Sequence, residues 1–175
     1  MRRAKNVGRA FTAIVIWVMT AATGLILSVG PLGAAGDPIV VIVNSSNPVN
    51  NLSMGELRKL FLSDRAKWDT GRPVSPVMRA AGAPERTQFL RVVCGMDDAD
   101  FDRYFLLAAF AGKFPTPSKV VDSARDVRRI VGNSPGAIGF VRSSDFYMDR
   151  DSGSVIKTVT IDGLAGTDAA YKIRM

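Results

Sequence analysis

The stretch Arg79-Ala80-Ala81-Gly82-Ala83-Pro84-Glu85-Arg86-Thr87 holds the residues best placed to do chemistry in this chain. Gly82 followed by Pro84 reads as a loop that opens a helix, because proline's missing N–H is unpaired at the first helical position anyway. A helix opening attracts anions through its free N–H groups and the positive end of its dipole. Arg79 and Arg86 add two guanidinium groups that can each grip an oxyanion with two hydrogen bonds. Two neighbours oppose this chemistry. Pro84 removes one N–H donor, and Glu85 puts a carboxylate where the charge of a ligand would sit. The arginines thus have two available partners, an external anion or Glu85, and the sequence leaves both open.

Asn44-Ser45-Ser46-Asn47 follows the run Ile39-Val40-Val41-Ile42-Val43. Ser45 and Ser46 lie where ligands often bind in open α/β sheets, at the carboxyl end of a strand. The plainer reading is a turn whose asparagines bond their own backbone. Ser134, ahead of Pro135-Gly136-Ala137-Ile138-Gly139, is a further candidate for ligand contact in a cleft. Trp68 reads as core packing before it reads as a partner anchor. Asp98, Asp100 and Asp102 alternate, but they lack the glycine and terminal glutamate of a calcium loop.

The chain has no histidine and one cysteine, Cys94, in the apolar context of Leu90, Val92 and Val93. Histidine-dependent nucleophilic triads and histidine-ligated zinc are therefore excluded, and no intrachain disulfide can form. No spacing of Asp and Glu suggests paired-carboxylate catalysis, and neither a cofactor nor a metal is expected.

The elements that must position these residues read as alternating strands and helices. Pro38–Asn44 is β-branched throughout and predicts a strand buried on both faces. Ser53-Met54-Gly55-Glu56 is a capping box opening a helix to about Leu62. A strand is expected over Pro73–Met78, and a helix from Pro84 that Gly95 stops. A third helix starts after Asp97 or Asp98, with Phe101, Tyr104, Phe105 and Ala108 as its inner stripe. Ser123 and Asp126 cap a fourth, with Val127, Ile130 and Val131 inward. Strands at Ala137–Val141 and Ser154–Ile161 close the series, the last with Val155, Val159 and Ile161 on one face. Such alternation favours a layered α/β domain.

Ahead of it, Arg2, Arg3, Lys5 and Arg9 precede the uncharged run Phe11–Val29, and Gly33-Ala34-Ala35-Gly36 follows. That order predicts an export signal over 1–36, cleaved after Ala35 or Gly36. The apolar run is also long enough to remain as an inner-membrane anchor over 11–29. Either outcome places residues 37–175 outside the cytoplasm, in the periplasm. Of the 23 Lys and Arg, four lie in this segment, leaving 19 basic against 16 acidic residues, or +3 for the mature chain. A mild excess without runs does not indicate nucleic acid as a partner. About 140 residues suit one domain.

Four stretches resemble the phosphate-binding proteins of bacterial ABC transporters, of the type II periplasmic binding-protein class. They are Ile39–Asn44 with Asn47-Pro48; Leu52-Ser53-Met54-Gly55-Glu56-Leu57-Arg58-Lys59-Leu60-Phe61 with Trp68, similar to L-S-x-x-E-L-x-x-I-F-x-G-x-x-x-x-W; Arg79–Phe89; and Pro135-Gly136-Ala137-Ile138-Gly139-Phe140-Val141, similar to P-G-A-I-G-Y-V. The resemblance implies a single lobe of that fold over 37–175, with a central mixed sheet flanked by helices. Full-length members have two lobes, and this chain matches mainly the second. It also implies a non-enzymatic binding protein for a small anion, phosphate by default, served by a membrane permease. On this resemblance Arg79, Gly82, Ala83, Arg86 and Thr87 occupy the ligand loop. The loop departs from the family's R-D-x-G-S-G-T-R-x-x-F: Ala80 replaces the Asp, Ala83 and Glu85 replace the two hydroxyl residues, and Pro84 replaces the second glycine. Weak phosphate binding is the expectation, and the alternative is a ligand-free module that contacts a membrane sensor or transporter. Oligomeric state is not legible in the sequence.

Overall fold

A computed structural model describes residues 36–113, 116–147 and 155–175. The expected export segment lies outside the described residues apart from Gly36. Among the described residues, no helix is long and apolar enough to cross a membrane.

The run Ile39–Asn44 is strand β1, and all six of its residues are buried. It is the third strand of a six-stranded mixed sheet in which β2 (Asn51–Leu52), β6 (Ile156–Ile161), β1, β5 (Ala137–Arg142), β3 (Ser75–Arg79) and β4 (Lys119–Val121) follow one another in space. β1 runs antiparallel to both neighbours, with Val41 opposite Phe140 on one side and Val159 on the other. β3 runs parallel to β5 and β4. Helices cover both faces, which is why β1 carries no polar alternation.

One face holds Ile39, Val41, Val43, Met78 and Phe140 against α1 (Met54–Phe61), α2 (Pro84–Phe89) and α3 (Asp98–Phe110). Phe61, Phe89 and Phe140 form its centre: the Phe89 and Phe140 rings stack at 3.9 Å, and Phe61 meets Phe89 edge-on at 4.7 Å. The other face holds Val40, Ile42, Val77 and Val141 against Val127 and Val131 of α4 (Ala124–Asn133). A short α5 (Ser143–Tyr147) follows β5. Gly139 allows α4 to press on the sheet, because a Cβ there would lie 2.7 Å from Val127 Cγ1.

Local signals set the helix ends where expected. Ser53 and Glu56 form the reciprocal capping box of α1, and the Ser53 backbone bond holds the Glu56 carboxyl below its usual range. Asp97 and Ser123 cap α3 and α4. α2 begins at Pro84, passes into a π-helical turn over Leu90–Cys94, and stops at Gly95 with φ +67°. Cys94 is buried in the core, and burial pushes its thiol up to about 11. Trp68 is buried too, with Nε1 donating to the Gly136 carbonyl at 2.9 Å.

Four details differ from the sequence reading. β2, β4 and α5 are additional elements too short for a periodic signal. The C-terminal segment also joins the fold: Ile39 N–H donates to Ile173 O, Met175 N–H donates to Asp37 O, and Tyr171 and Ile173 are buried. The inner stripe of α3 buries thinly, with Phe101 enclosed, Tyr104 and Phe105 half-covered, and Leu106, Leu107 and Phe110 exposed. Val155 is 52% exposed rather than in line with buried Val159 and Ile161. It precedes β6, its carbonyl takes the Ser45 N–H, and its side chain lies over Gly132 of α4.

Candidate anion-binding site

β3 ends at Arg79 and its parallel neighbour β5 ends at Arg142, so the sheet delivers two guanidinium groups to the same edge. The loop between β3 and α2 closes on itself: Ala83 N–H donates to Ala80 O at 3.2 Å, and Gly82 takes φ +83°. Ala83 is the N-cap of α2, and its methyl supplies no side-chain cap.

Glu85, in the first turn of α2, is only 2% exposed. Its carboxylate lies between the two strand ends. Oε1 accepts from Arg79 Nη1, and Oε2 accepts from Arg142 Nη2 at 3.2 Å. Of the two partners the sequence left open for Arg79, the structure holds the internal one. The fit is incomplete. Nε of Arg79 and Nε of Arg142 are both buried without a hydrogen-bond partner. A carboxylate has two oxygens and satisfies one nitrogen of each arginine here. A tetrahedral oxyanion has more acceptor positions to offer the same pair.

Arg86 turns the other way. Its Nε donates to Asp98 Oδ1 at 2.5 Å, Nη1 to the Arg79 carbonyl at 3.2 Å, and Nη2 faces Asp102 at 3.5 Å. Its guanidinium carbon sits 5.6 Å from the Phe101 ring centre. Thr87 Oγ1 donates to Asp98 Oδ2 at 3.2 Å. Asp98 and Asp102 of α3 thus anchor α2 through Arg86 and Thr87, and Arg86 reaches Arg79 through the backbone carbonyl rather than the guanidinium. Gly82 and Ala83 shape the loop.

Ser45, Ser46 and Ser134 are not brought to this site. β1 is antiparallel to β5, with Ile39 opposite Arg142 and Val43 opposite Ile138. Residues after Asn44 and before Ala137 therefore share the end of the sheet away from Arg79 and Arg142. There Asn44 is buried, with Nδ2 donating to Val131 O and Gly132 O and Oδ1 accepting from Ser46 N–H and Oγ. This is the self-bonded turn of the plainer reading. Ser134 closes the carboxyl end of α4, its N–H directed to Val131 O at 3.4 Å.

Arg142 is the member of the cluster that sequence reasoning missed. Its only sequence signal is its position just past Ile138-Gly139-Phe140-Val141, and its role depends on β3 and β5 being neighbours. A cavity of about 440 Å³ opens beside Arg79, lined also by Asp122, Ser123, Arg125, Arg128 and Asp145. Among the described residues, no group of histidine, cysteine and carboxylate side chains could hold a metal ion.

No protein-family model matches the chain. Solved structures do. A Clostridium perfringens protein, named as a phosphate ABC transporter substrate-binding protein and solved with bound phosphate, superposes with a TM-score of 0.62 at 22% identity, over 79% of this chain and 53% of that one. An ABC-type phosphate transport receptor from Vibrio cholerae gives 0.59 at 20% identity, over 76% of this chain and 49% of the receptor. This chain shares the fold of one part of these proteins. It spans about half the length of the receptor-fold structures it matches. A Planctomyces limnophilus protein described as phosphate-binding agrees, with a TM-score of 0.55 at 19% identity over 81% of this chain.

Proposed function

We propose that this protein is a periplasmic, non-enzymatic binding protein of one lobe, built like half of a phosphate receptor, in which Glu85 occupies the loop's anion position and keeps phosphate binding weak. The observation that carries this reading is the Glu85 carboxylate held between Arg79 and Arg142. The shared fold supports a binding role, and the named ligand of the matched structures supports a small oxyanion. The positive-then-apolar segment ahead of residue 37 supports export, by a cleaved signal or by an anchor at 11–29, and a membrane permease as the partner.

Phosphate competing for this position must displace a tethered carboxylate. It also meets no hydroxyl at Ala83 or at Glu85. Each missing hydrogen bond to a charged group costs about 1.5–3 kcal/mol, and two such losses take roughly two to four powers of ten from affinity. One lobe also leaves the anion partly in water, which weakens each charged bond. Calorimetric titration of residues 37–175 with phosphate at low salt should give a millimolar or weaker Kd. A sub-micromolar Kd for the monomer would overturn the reading.

A second reading is favoured by α3, where Leu106, Leu107 and Phe110 are 57%, 60% and 81% exposed. A lobe that keeps the fold, fills its own anion position and exposes apolar surface suits a ligand-free module docking on a membrane sensor or transporter. Complete indifference to phosphate, even after Glu85 is replaced by threonine and Ala83 by serine, would favour it.

A further inference from the structure

α3 carries two apolar stripes. Phe101, Tyr104, Phe105 and Ala108 form the one turned to the domain. On the opposite side Ala99, Leu106, Leu107 and Phe110 are exposed, with Arg103 among them. These positions recur at helical spacing and make one continuous face. From Tyr104 to Ala111 the helix has no charged residue on any side, and a helix apolar all round is one that is buried in its working state.

The face adjoins a hollow. A groove of about 460 Å³ lies between α3 and the turn after α1, lined by Leu62, Tyr104, Leu107, Ala111 and Lys113 among others. An aromatic ring seated in such a hollow is the usual anchor of an interface. Charge along the face selects the occupant. Asp100 and Asp102 stand exposed at its amino end and Lys113 at its carboxyl end. Asp102 lies 3.5 Å from Arg86, yet its side chain stays 73% exposed. The acidic end repels an anionic lipid surface, and a parallel copy would set carboxylate against carboxylate. A reversed copy of the same face sets acidic against basic at both ends. That is the reciprocal matching of a two-fold dimer, in which each residue meets its counterpart's partner. With the axis at Leu107, Phe110 of each copy comes opposite Tyr104 of the other, at the lip of the groove, and Lys113 comes level with Phe101 and Asp102.

We propose that α3 is a dimer interface, covered in solution by α3 of a second copy of this chain packed antiparallel, with Phe110 as its anchor. The proposal does not rest on the phosphate reading. It does bear on the second reading, because a sensor docking on α3 would compete with the second copy.

The test is sedimentation equilibrium of residues 37–175, whose described elements bury both faces of the sheet among themselves. One helix face per copy makes a small interface, so the expected dimer has a Kd on the order of 1–100 µM. Phe110 is exposed in the single copy, so Phe110→Asp leaves the fold intact and should weaken dimerisation roughly thirtyfold or more, the weight of a central aromatic anchor. Cross-linking with a short bismaleimide reads the direction, since Cys94 is buried and stays silent. Leu107→Cys should link near the axis. Ala99→Cys should not, because the antiparallel pair sets those positions about 24 Å apart. A monomer at about 1 mM, a dimer indifferent to Phe110→Asp, or linkage at Ala99→Cys in place of Leu107→Cys would each overturn the proposal. So would a monomer that floats with phosphatidylglycerol vesicles, which would assign the face to lipid.

Discussion

Arg86 and Arg79 are the two arginines of one loop, and their surroundings give them opposite tasks. Arg86 is 3% exposed and bonds to Asp98, to the Arg79 carbonyl and, at longer range, to Asp102. Arg86 is the buried member, while Asp98 and Asp102 reach water, so removing the guanidinium costs its charged hydrogen bonds rather than stranding a buried charge, about 1.5–3 kcal/mol. Arg86→Ala should therefore destabilise the domain by about that amount in urea unfolding. Arg86→Lys should recover less than half of it, because an ammonium cannot reproduce the planar fork. Full recovery by lysine would show that only charge matters there. Sequence reasoning found both arginines and the displaced carboxylate of Glu85, since all lie within one loop. It could not divide them, because the division depends on α3 bringing Asp98 to Arg86 and on β5 bringing Arg142 to Glu85. Ser45 and Ser46 show the converse. The strand-end position was visible in sequence, but the antiparallel register that sends it to the far end of the sheet was not.

At the scale of elements, the signals that proved legible are local ones. Ser53, Asp97, Ser123, Pro84 and Gly95 each mark a helix end through a bond or a backbone angle formed within four residues. β4 was not legible because it is three residues long and largely exposed at the sheet edge. The tie between Ile173 and Ile39 spans nearly the whole domain and leaves no periodic trace. Gly139 lies in the glycine-containing stretch that the sequence singles out, and the structure shows what packs on it. A methyl there would meet Val127 Cγ1 at 2.7 Å and the Val77 carbonyl at 3.3 Å. The side chain of Val127 can shift and the backbone of β3 cannot, so Gly139→Ala should cost about 1–3 kcal/mol. A variant as stable as the parent in thermal unfolding would mean that α4 sits further from the sheet than described. The capping box of α1 has its own pH signature. Glu56 is held below its ordinary value chiefly by the Ser53 backbone, so its contribution is present at neutral pH and is lost as pH falls through that lowered value.

For the whole molecule, the described residues enclose a core on each face of the sheet, and the single cysteine, Cys94, can form no intrachain disulfide. Residues 37–175 should fold alone, and Met175 N–H bonded to Asp37 O ties the two ends of that body together. Cys94 reports on it. Its thiol is buried and pushed up to about 11, so at pH 8 it is almost wholly the unreactive thiol. Alkylation should be slow in buffer and fast in urea; fast modification of the folded protein would contradict a closed core. The whole also spans only about half of the receptors that share its fold. Within the described residues the Glu85 carboxylate balances the two arginines that the ends of β3 and β5 bring together.

The most direct test of that account is a side-by-side phosphate titration of the parent domain and its Ala83→Ser, Glu85→Thr variant at low ionic strength. Freeing Arg79 and Arg142 and restoring two hydroxyls should tighten binding by about two powers of ten or more, and added salt should weaken it. Arg142→Ala in that background should reverse the gain. Parent and variant binding phosphate equally well would contradict the claim that Glu85 holds the ligand's place.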